Sequence, residues 1–289
     1  MIQLENERIK AIIALKGAEL QSLVRKDVDQ EYMWSGDPAF WGKKSPVLFP
    51  IVGGLKQNQY SYKGQTYQLG RHGFARDQEF AVTEQSQSTA RLTLTDNEAT
   101  RRVYPFAFRF SLVYALQPAG LSVSYIVENT GNDTLWFSVG GHPAFKLPLS
   151  SHCSFEDYYL DFSETENAGR WPLSPEGLIS HPPQPLLNNT GKLPLSKPLF
   201  YEDALVLKQL QSTSVSLQTD KDPQGLRFHF EGFPFLGIWS AKNADFICIE
   251  PWCGIADSVD ASGQLEEKEG IESLAPGQQF TRTWSVDLF

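Results

Sequence analysis

The chain has 289 residues, with 25 Lys+Arg against 34 Asp+Glu and a formal net charge of -9, a balance that argues against a nucleic-acid or anionic-membrane surface. Its 41% hydrophobic content supports a sizeable core, and a chain of this length that is mostly strand often folds as one large sandwich or barrel. No apolar run approaches the ~20 residues of a membrane span, and the start MIQLENERIKAIIALKG lacks the basic lead and long apolar core of a secretion signal.

The three cysteines, Cys153, Cys248 and Cys253, cannot all pair within one chain, which fits a reducing, cytoplasmic setting. Cys248 and Cys253 lie close together in CIEPWC, but with no second pair elsewhere the spacing is a poor zinc signature. The expected partner is a small, uncharged or weakly polar molecule, with no nucleic acid and no membrane.

In chain order, GAELQSLVRK (17–26) reads equally as a short helix or a strand. Period-two alternation then recurs in RLTLTD, FRFSLVYAL and LSVSYIVEN, placing Leu92 and Leu94, then Phe108, Phe110, Leu112 and Tyr114, then Leu121, Val123, Tyr125 and Val127 on one face. Residues 163–200 are rich in Pro, Ser, Asn and Gly and read as a long loop with one or two hairpins. The alternation returns in SVSLQTD, LRFHFEG, FICIEPW and TRTWSVDLF, and turn signals such as QPAG, ENTGND, KDPQG and LAPGQ separate the runs. The reading is all-β with little helix, as one domain over 1–289, able to stand as a monomer or a homodimer.

Three stretches carry candidate chemistry. In LGRHGFARDQEF (69–80), His72 sits among Arg71 and Arg76. A lone histidine beside an arginine is ordinarily a turn residue, but two neighbouring cations disfavour the imidazolium and make His72 a neutral hydrogen-bonding group. In SVGGHPAFKLP (138–148), Gly140 and Gly141 precede His142 and allow something to approach the backbone, while Pro143 stops the strand. In FICIEPWCGIAD (246–257), Glu250 shares a strand face with Phe246 and Cys248; desolvation there raises its pKa toward the range of a general base. His229 alternates out of its apolar face, and His152 and His181 lie in loop-like stretches.

Taken together, LFPIVGGLKQNQYSYKGQTYQLGRHGFARD, FSVGGHPAFKLP, GFPFLGIWS and ICIEPWCGIADS, in that order across residues 46–258, resemble the aldose 1-epimerase (galactose mutarotase-like) family, and most of all its shorter bacterial LacX-like branch. The resemblance implies a large antiparallel β-sandwich and an open cleft holding two histidines and a glutamate. By motif these are His72, His142 and Glu250. It further implies that Arg71 contacts sugar hydroxyls and that Asp203, in FYEDALVL, is a sugar-binding aspartate. Trp34, Trp41, Trp239 and Trp252 lie in or near these motifs, where an aromatic ring suits the C–H face of a pyranose, although most tryptophans serve as core.

The implied reaction interconverts the anomers of an aldohexose. A base removes the C1 hydroxyl proton while an acid protonates the ring oxygen, so the ring opens to an aldehyde and recloses on the other face. Glu250 suits the base and His142 the acid, since an ordinary histidine pKa lies near working pH. His72 would donate a hydrogen bond near the ring oxygen. Nothing in this chemistry calls for a metal or a cofactor. Two alternatives stay open: a hexose-6-phosphate epimerase, for which Arg71, Arg76, Lys43, Lys44 and Lys56 are candidate phosphate partners, and a non-catalytic carbohydrate-binding protein.

Overall fold

All the alternating stretches except FICIEPW lie in a nine-stranded antiparallel sheet in the computed structural model, which describes residues 1–289. In spatial order its strands are Gln184–Pro194, Tyr158–Arg170, Ser214–Thr219, Leu226–His229, Gln279–Leu288, Gly120–Asn129, Phe108–Gln117, Thr89–Thr95 and Ala81–Gln85. Phe110 pairs with Val127 and Leu112 with Tyr125, so the apolar positions of adjacent strands stack on one buried face.

The second large sheet has Leu205–Lys208, Phe235–Trp239, Phe246–Cys253, Val139–Gly141 and Val47–Leu48 in that order, with Ala144–Lys146 also pairing on Phe246–Cys253. It faces the nine-stranded sheet across a core in which aromatic rings interdigitate. Phe49 stacks on Phe110 at 4.4 Å, Phe145 meets Phe228 at 6.0 Å, and Phe137 meets Phe280 at 5.3 Å. This is a β-sandwich in which two sheets bury their inner faces against each other.

Besides six short 3-10 turns, the one α-helix is Glu98–Val103, whose start is capped by the Asn97 side chain accepting from the Ala99 and Thr100 N–H groups. No helix is long and apolar enough to cross a membrane. The ambiguous stretch 17–26 is a strand: Leu20–Arg25 pairs with Ile9–Ile13 in a four-stranded N-terminal sheet. The left-handed backbone of Gly17 and Ala18 prevents a helix from starting there.

Residues 163–200 contain less loop than expected. Tyr158–Arg170 and Gln184–Pro194 form a long, bulged hairpin arm at the sheet edge, where proline removes no ladder bond that the sheet needs. What remains irregular is 171–183, a strap held by a small bridge of Leu173 to Ile179 and a parallel one of Ile179 to Ser258.

Candidate active site

The site is organised by Phe246–Cys253, which is buried along its whole length. Ile247, Ile249 and Cys253 join the main core, whereas Phe246, Cys248 and Trp252 point to the opposite face and join two smaller apolar clusters there. Glu250 shares that second face with them. The neighbouring strand is broken at His142–Pro143: Gly140 lies opposite Trp252 on one side of the break, and Ala144 lies opposite Cys248 on the other. The register is the same on both sides, so His142 falls directly across from Glu250. The break follows from the two prolines. Ile249 N–H donates to Pro143 O at 3.3 Å, and two residues on, Pro251 has no N–H to offer the same neighbour.

The result is a close pair, His142 Nε2 to Glu250 Oε2 at 3.3 Å, with the two side chains 11% and 2% exposed. The His142 ring stacks on Trp41 at 4.8 Å and meets Trp239 edge-on at 5.6 Å. Trp41 therefore packs against the imidazole. The paired glycines accommodate the protein's own side chains. A Cβ on Gly140 would lie 2.7 Å from Trp252 Cδ1, and one on Gly141 would lie 2.5 Å from the Tyr125 hydroxyl.

His72 approaches from the other side of the cleft, its ring 5.9 Å from that of His142. It sits at φ 67, in the left-handed region. Its own N–H donates to Gly53 O at 2.9 Å, and Gly53 N–H donates to His72 Nδ1 at 3.1 Å. A nitrogen that accepts carries no proton, so the proton of neutral His72 is on Nε2 and available to donate. Arg76 donates to the Arg71 carbonyl at 3.0 Å.

Electrostatically, burial dominates the three candidates. It pushes the Glu250 carboxyl well above its ordinary range, with the Asp203 charge adding to the rise. Burial lowers His142 from 6.5 to about 3, so the expectation of an ordinary histidine pKa does not hold. His72 is lowered well below its ordinary value by burial first, then by His142, with Arg76 and Arg71 contributing after. The arginines named from sequence thus act in the expected direction but are not the main cause.

Around this floor lies a cleft of about 830 Å³ lined by Arg71, His72, His142, Asp203, Glu250 and Trp252, together with Trp41 and Trp239; Trp34, also considered from sequence, packs in an apolar cluster instead. Arg71 reaches across it, its guanidinium donating to the Glu176 carbonyl of the strap at 3.3 Å and lying 4.0 Å from Asp203. Asp203 adopts φ 83, and its side chain accepts from the Ala204 N–H at 2.8 Å. Trp252 is 6% exposed and packs in the apolar cluster with Leu48, Val52 and Ile255.

His142, Cys248 and Glu250 offer donor atoms within 4.8 Å of one another, the one group able to hold a metal ion. Burial raises the Cys248 thiol well above its ordinary range, and a protonated thiol is a poor ligand. Cys248 and Cys253 point to opposite faces of their strand, so CIEPWC does not make a paired site. His229 is exposed and contacts Asp287 at 2.9 Å, and His181 contacts Asp260 at 2.8 Å.

Two features of the site were not drawn from the sequence. Gly237 pairs with Glu250 on the strand opposite His142, and a Cβ there would lie 2.4 Å from the Trp252 ring. A glycine inside the strand-like FLGIW was the available signal of a close approach. The second is the ion pair of Lys268 with Asp257 beneath the cleft, at 2.7 Å and almost fully buried; nothing in sequence spacing relates the two.

Comparison with known proteins agrees with this architecture. The chain is 40% identical to a galactose mutarotase related enzyme from Lactobacillus acidophilus, with a TM-score of 0.94 over 100% of this chain and 97% of that one. A galactose mutarotase-like protein from Lactobacillus casei superposes with a TM-score of 0.94 at 33% identity, covering 100% of both chains. The chromosomal protein LacX of Lactococcus lactis subsp. lactis is 33% identical over 296 residues, 99% of each chain. The family model described as aldose 1-epimerase matches residues 1–285, and with that extent of agreement the chain belongs to the aldose 1-epimerase, galactose mutarotase-like family.

Proposed function

We propose that the protein is an aldose 1-epimerase that interconverts the α and β anomers of a free aldohexose. The observation that carries this reading is the buried Glu250–His142 pair, 3.3 Å apart on the floor of an open cleft, with the neutral His72 ring 5.9 Å from that of His142 as a third group carrying its proton on Nε2. One base and one acid within reach of each other are what opening a pyranose requires.

The pair works with one proton between its members. In the reactive form Glu250 is a carboxylate and His142 an imidazolium. Desolvation makes that carboxylate more basic and that imidazolium more acidic than in water, and both changes push toward the sugar. Glu250 takes the C1 hydroxyl proton as the C1–O5 bond breaks, and His142 delivers its proton to O5, leaving an open-chain aldehyde. Rotation about C1–C2 presents the other carbonyl face. His142 then recovers the O5 proton as O5 attacks C1, and Glu250 returns its proton to the new C1 hydroxyl. His72 donates to the sugar oxygens near O5 and orients the ring.

Three of the four cations lining the cleft are already engaged, which supports a neutral sugar over a sugar phosphate; the fourth, Lys242, lies over the Tyr201 ring at 5.1 Å without a carboxylate partner, and Lys43, Lys44 and Lys56 do not line the cleft. Arg170 is engaged by Glu202 at 2.9 Å, Arg71 faces Asp203 and the Glu176 carbonyl, and Arg76 is turned to the Arg71 carbonyl. The test is polarimetry of freshly dissolved α-D-glucose and α-D-galactose. The wild type should accelerate mutarotation, and Glu250→Gln and His142→Asn should each lose roughly 10²–10⁴-fold. Acceleration of glucose 6-phosphate alone would replace the free-sugar assignment, and no acceleration of any of these sugars would leave a binding protein.

A further inference from the structure

We infer that the buried Asp257–Lys268 ion pair is a positioning device for the site, fixing through the 53–56 segment the donor that sets the tautomer and orientation of His72. Neither residue touches the cleft floor, yet Asp257 is bonded at every polar atom. Its Oδ1 accepts from Lys268 Nζ at 2.7 Å, and its Oδ2 accepts from the backbone N–H of Lys56 at 2.9 Å. Its own N–H donates to Gly54 O at 2.9 Å, and its carbonyl accepts from Ile179 N–H at 2.8 Å.

Three segments are thereby stitched to one residue. The first is 53–56, whose Gly53 N–H meets His72 Nδ1. The second is the strap at Ile179, whose Glu176 carbonyl holds Arg71. The third is the turn leaving the Glu250 strand, in which Ala256 packs so closely on Gly53 that a Cβ there would come within 2.5 Å. At φ +72 and with Ala256 this close, the position has no room for a side chain.

The pair itself is an unlikely choice for stability alone. The Lys268 and Asp257 side chains are 2% and 5% exposed, and desolvating two such charges offsets most of their attraction. Such a pair does impose a direction. The carboxylate must face the ammonium, and its second oxygen is then aimed at Lys56 N–H. An apolar pair of the same volume would fill the space without orienting 53–56, and the Gly53 N–H would lose its aim at Nδ1.

The rate effect expected here rests on the proposed mutarotase reading; the tautomer effect does not. The experiment therefore records both on full-length protein: long-range ¹H–¹⁵N correlation of the His72 ring, and anomerisation by polarimetry. The variants are Lys268→Met, Asp257→Leu, and the double variant Asp257→Leu/Lys268→Met, which removes the acceptor for Lys56 N–H and leaves no unpaired buried charge. Leu92→Ala, in the far sheet, is the control that loses stability without touching the site. In wild type the Nε2–H tautomer should dominate. In the double variant, thermally restored relative to the singles, His72 should show mixed tautomers, and kcat should fall roughly tenfold to a hundredfold with KM nearly unchanged. Leu92→Ala should keep the wild-type ring pattern. A double variant that retains the single Nε2–H tautomer and the wild-type kcat would overturn the inference and reduce the pair to a structural one. A wild type without mutarotase activity would sink the proposed function, while the ring spectra would still decide the role of the pair.

Discussion

Gly237→Ala is a perturbation whose size can be worked from the geometry. The new Cβ would stand 2.4 Å from Trp252 Cη2 and Cζ2, where ordinary contact is 3.4–4 Å, so the indole must retreat by about 1 Å. It has little room, because Leu48, Val52, Phe235 and Ile255 pack around it. Overpacking of this kind costs about 1–3 kcal/mol, and each kcal/mol lowers Tm by roughly 2–4 °C in a chain of this order of length. Trp252 lies two residues from Glu250 on the same strand face, and a ~1 Å displacement of groups beside a reacting centre costs on the order of 10²-fold in rate. Differential scanning calorimetry and polarimetry measure the two effects. The double variant Gly237→Ala/Trp252→Phe should recover most of the lost Tm, because a phenyl ring has no atoms at the clashing positions. A single variant with wild-type Tm and rate would refute the reasoning, as would a double variant no more stable than the single one.

Two other predictions follow from the electrostatics of the site. The folded-state pKa of Glu250 is raised above its unfolded value of 4.5, so its contribution to stability is fully present below 4.5 and is lost as pH rises toward the folded value. Glu250→Gln removes that loss, so the variant should exceed the wild type in Tm by more at pH 8 than at pH 4; an equal or reversed difference would count against a desolvated carboxylate. All three cysteines are buried, and burial raises Cys248 well above its ordinary range and Cys253 to about 12, so a thiol-specific chromogenic reagent should find almost no reactive thiol in the native protein and three after unfolding.

Much of the architecture was legible in the sequence because a half-buried strand writes its environment as alternation. Phe108–Gln117 and Gly120–Asn129 face the core with one side only, and their period-two pattern survives in the letters. Phe246–Cys253 is covered on both faces, so Glu250 stands out in a nearly apolar stretch; alternation placed it with Phe246 and Cys248, but which neighbour that face meets had to come from pairing. The stretch 17–26 stayed ambiguous for a similar reason: it is short, and its strand conformation depends on partners such as Ile9–Ile13 outside the local window.

By itself the sequence determined the all-β class, the family to which the ordered motifs point, and the residue types capable of acid–base chemistry, because these depend on local periodicity and on motifs carried along one chain. The tertiary structure alone decided that His142 stands across a proline-broken strand from Glu250, that Gly53 leaves the His72 proton on Nε2, and that Lys268 finds Asp257 under the cleft. It also decided the protonation of the pair. Local charges were visible in the letters, but desolvation depends on how completely the rest of the molecule excludes water, and here it outweighs every neighbouring charge at His72, His142 and Glu250.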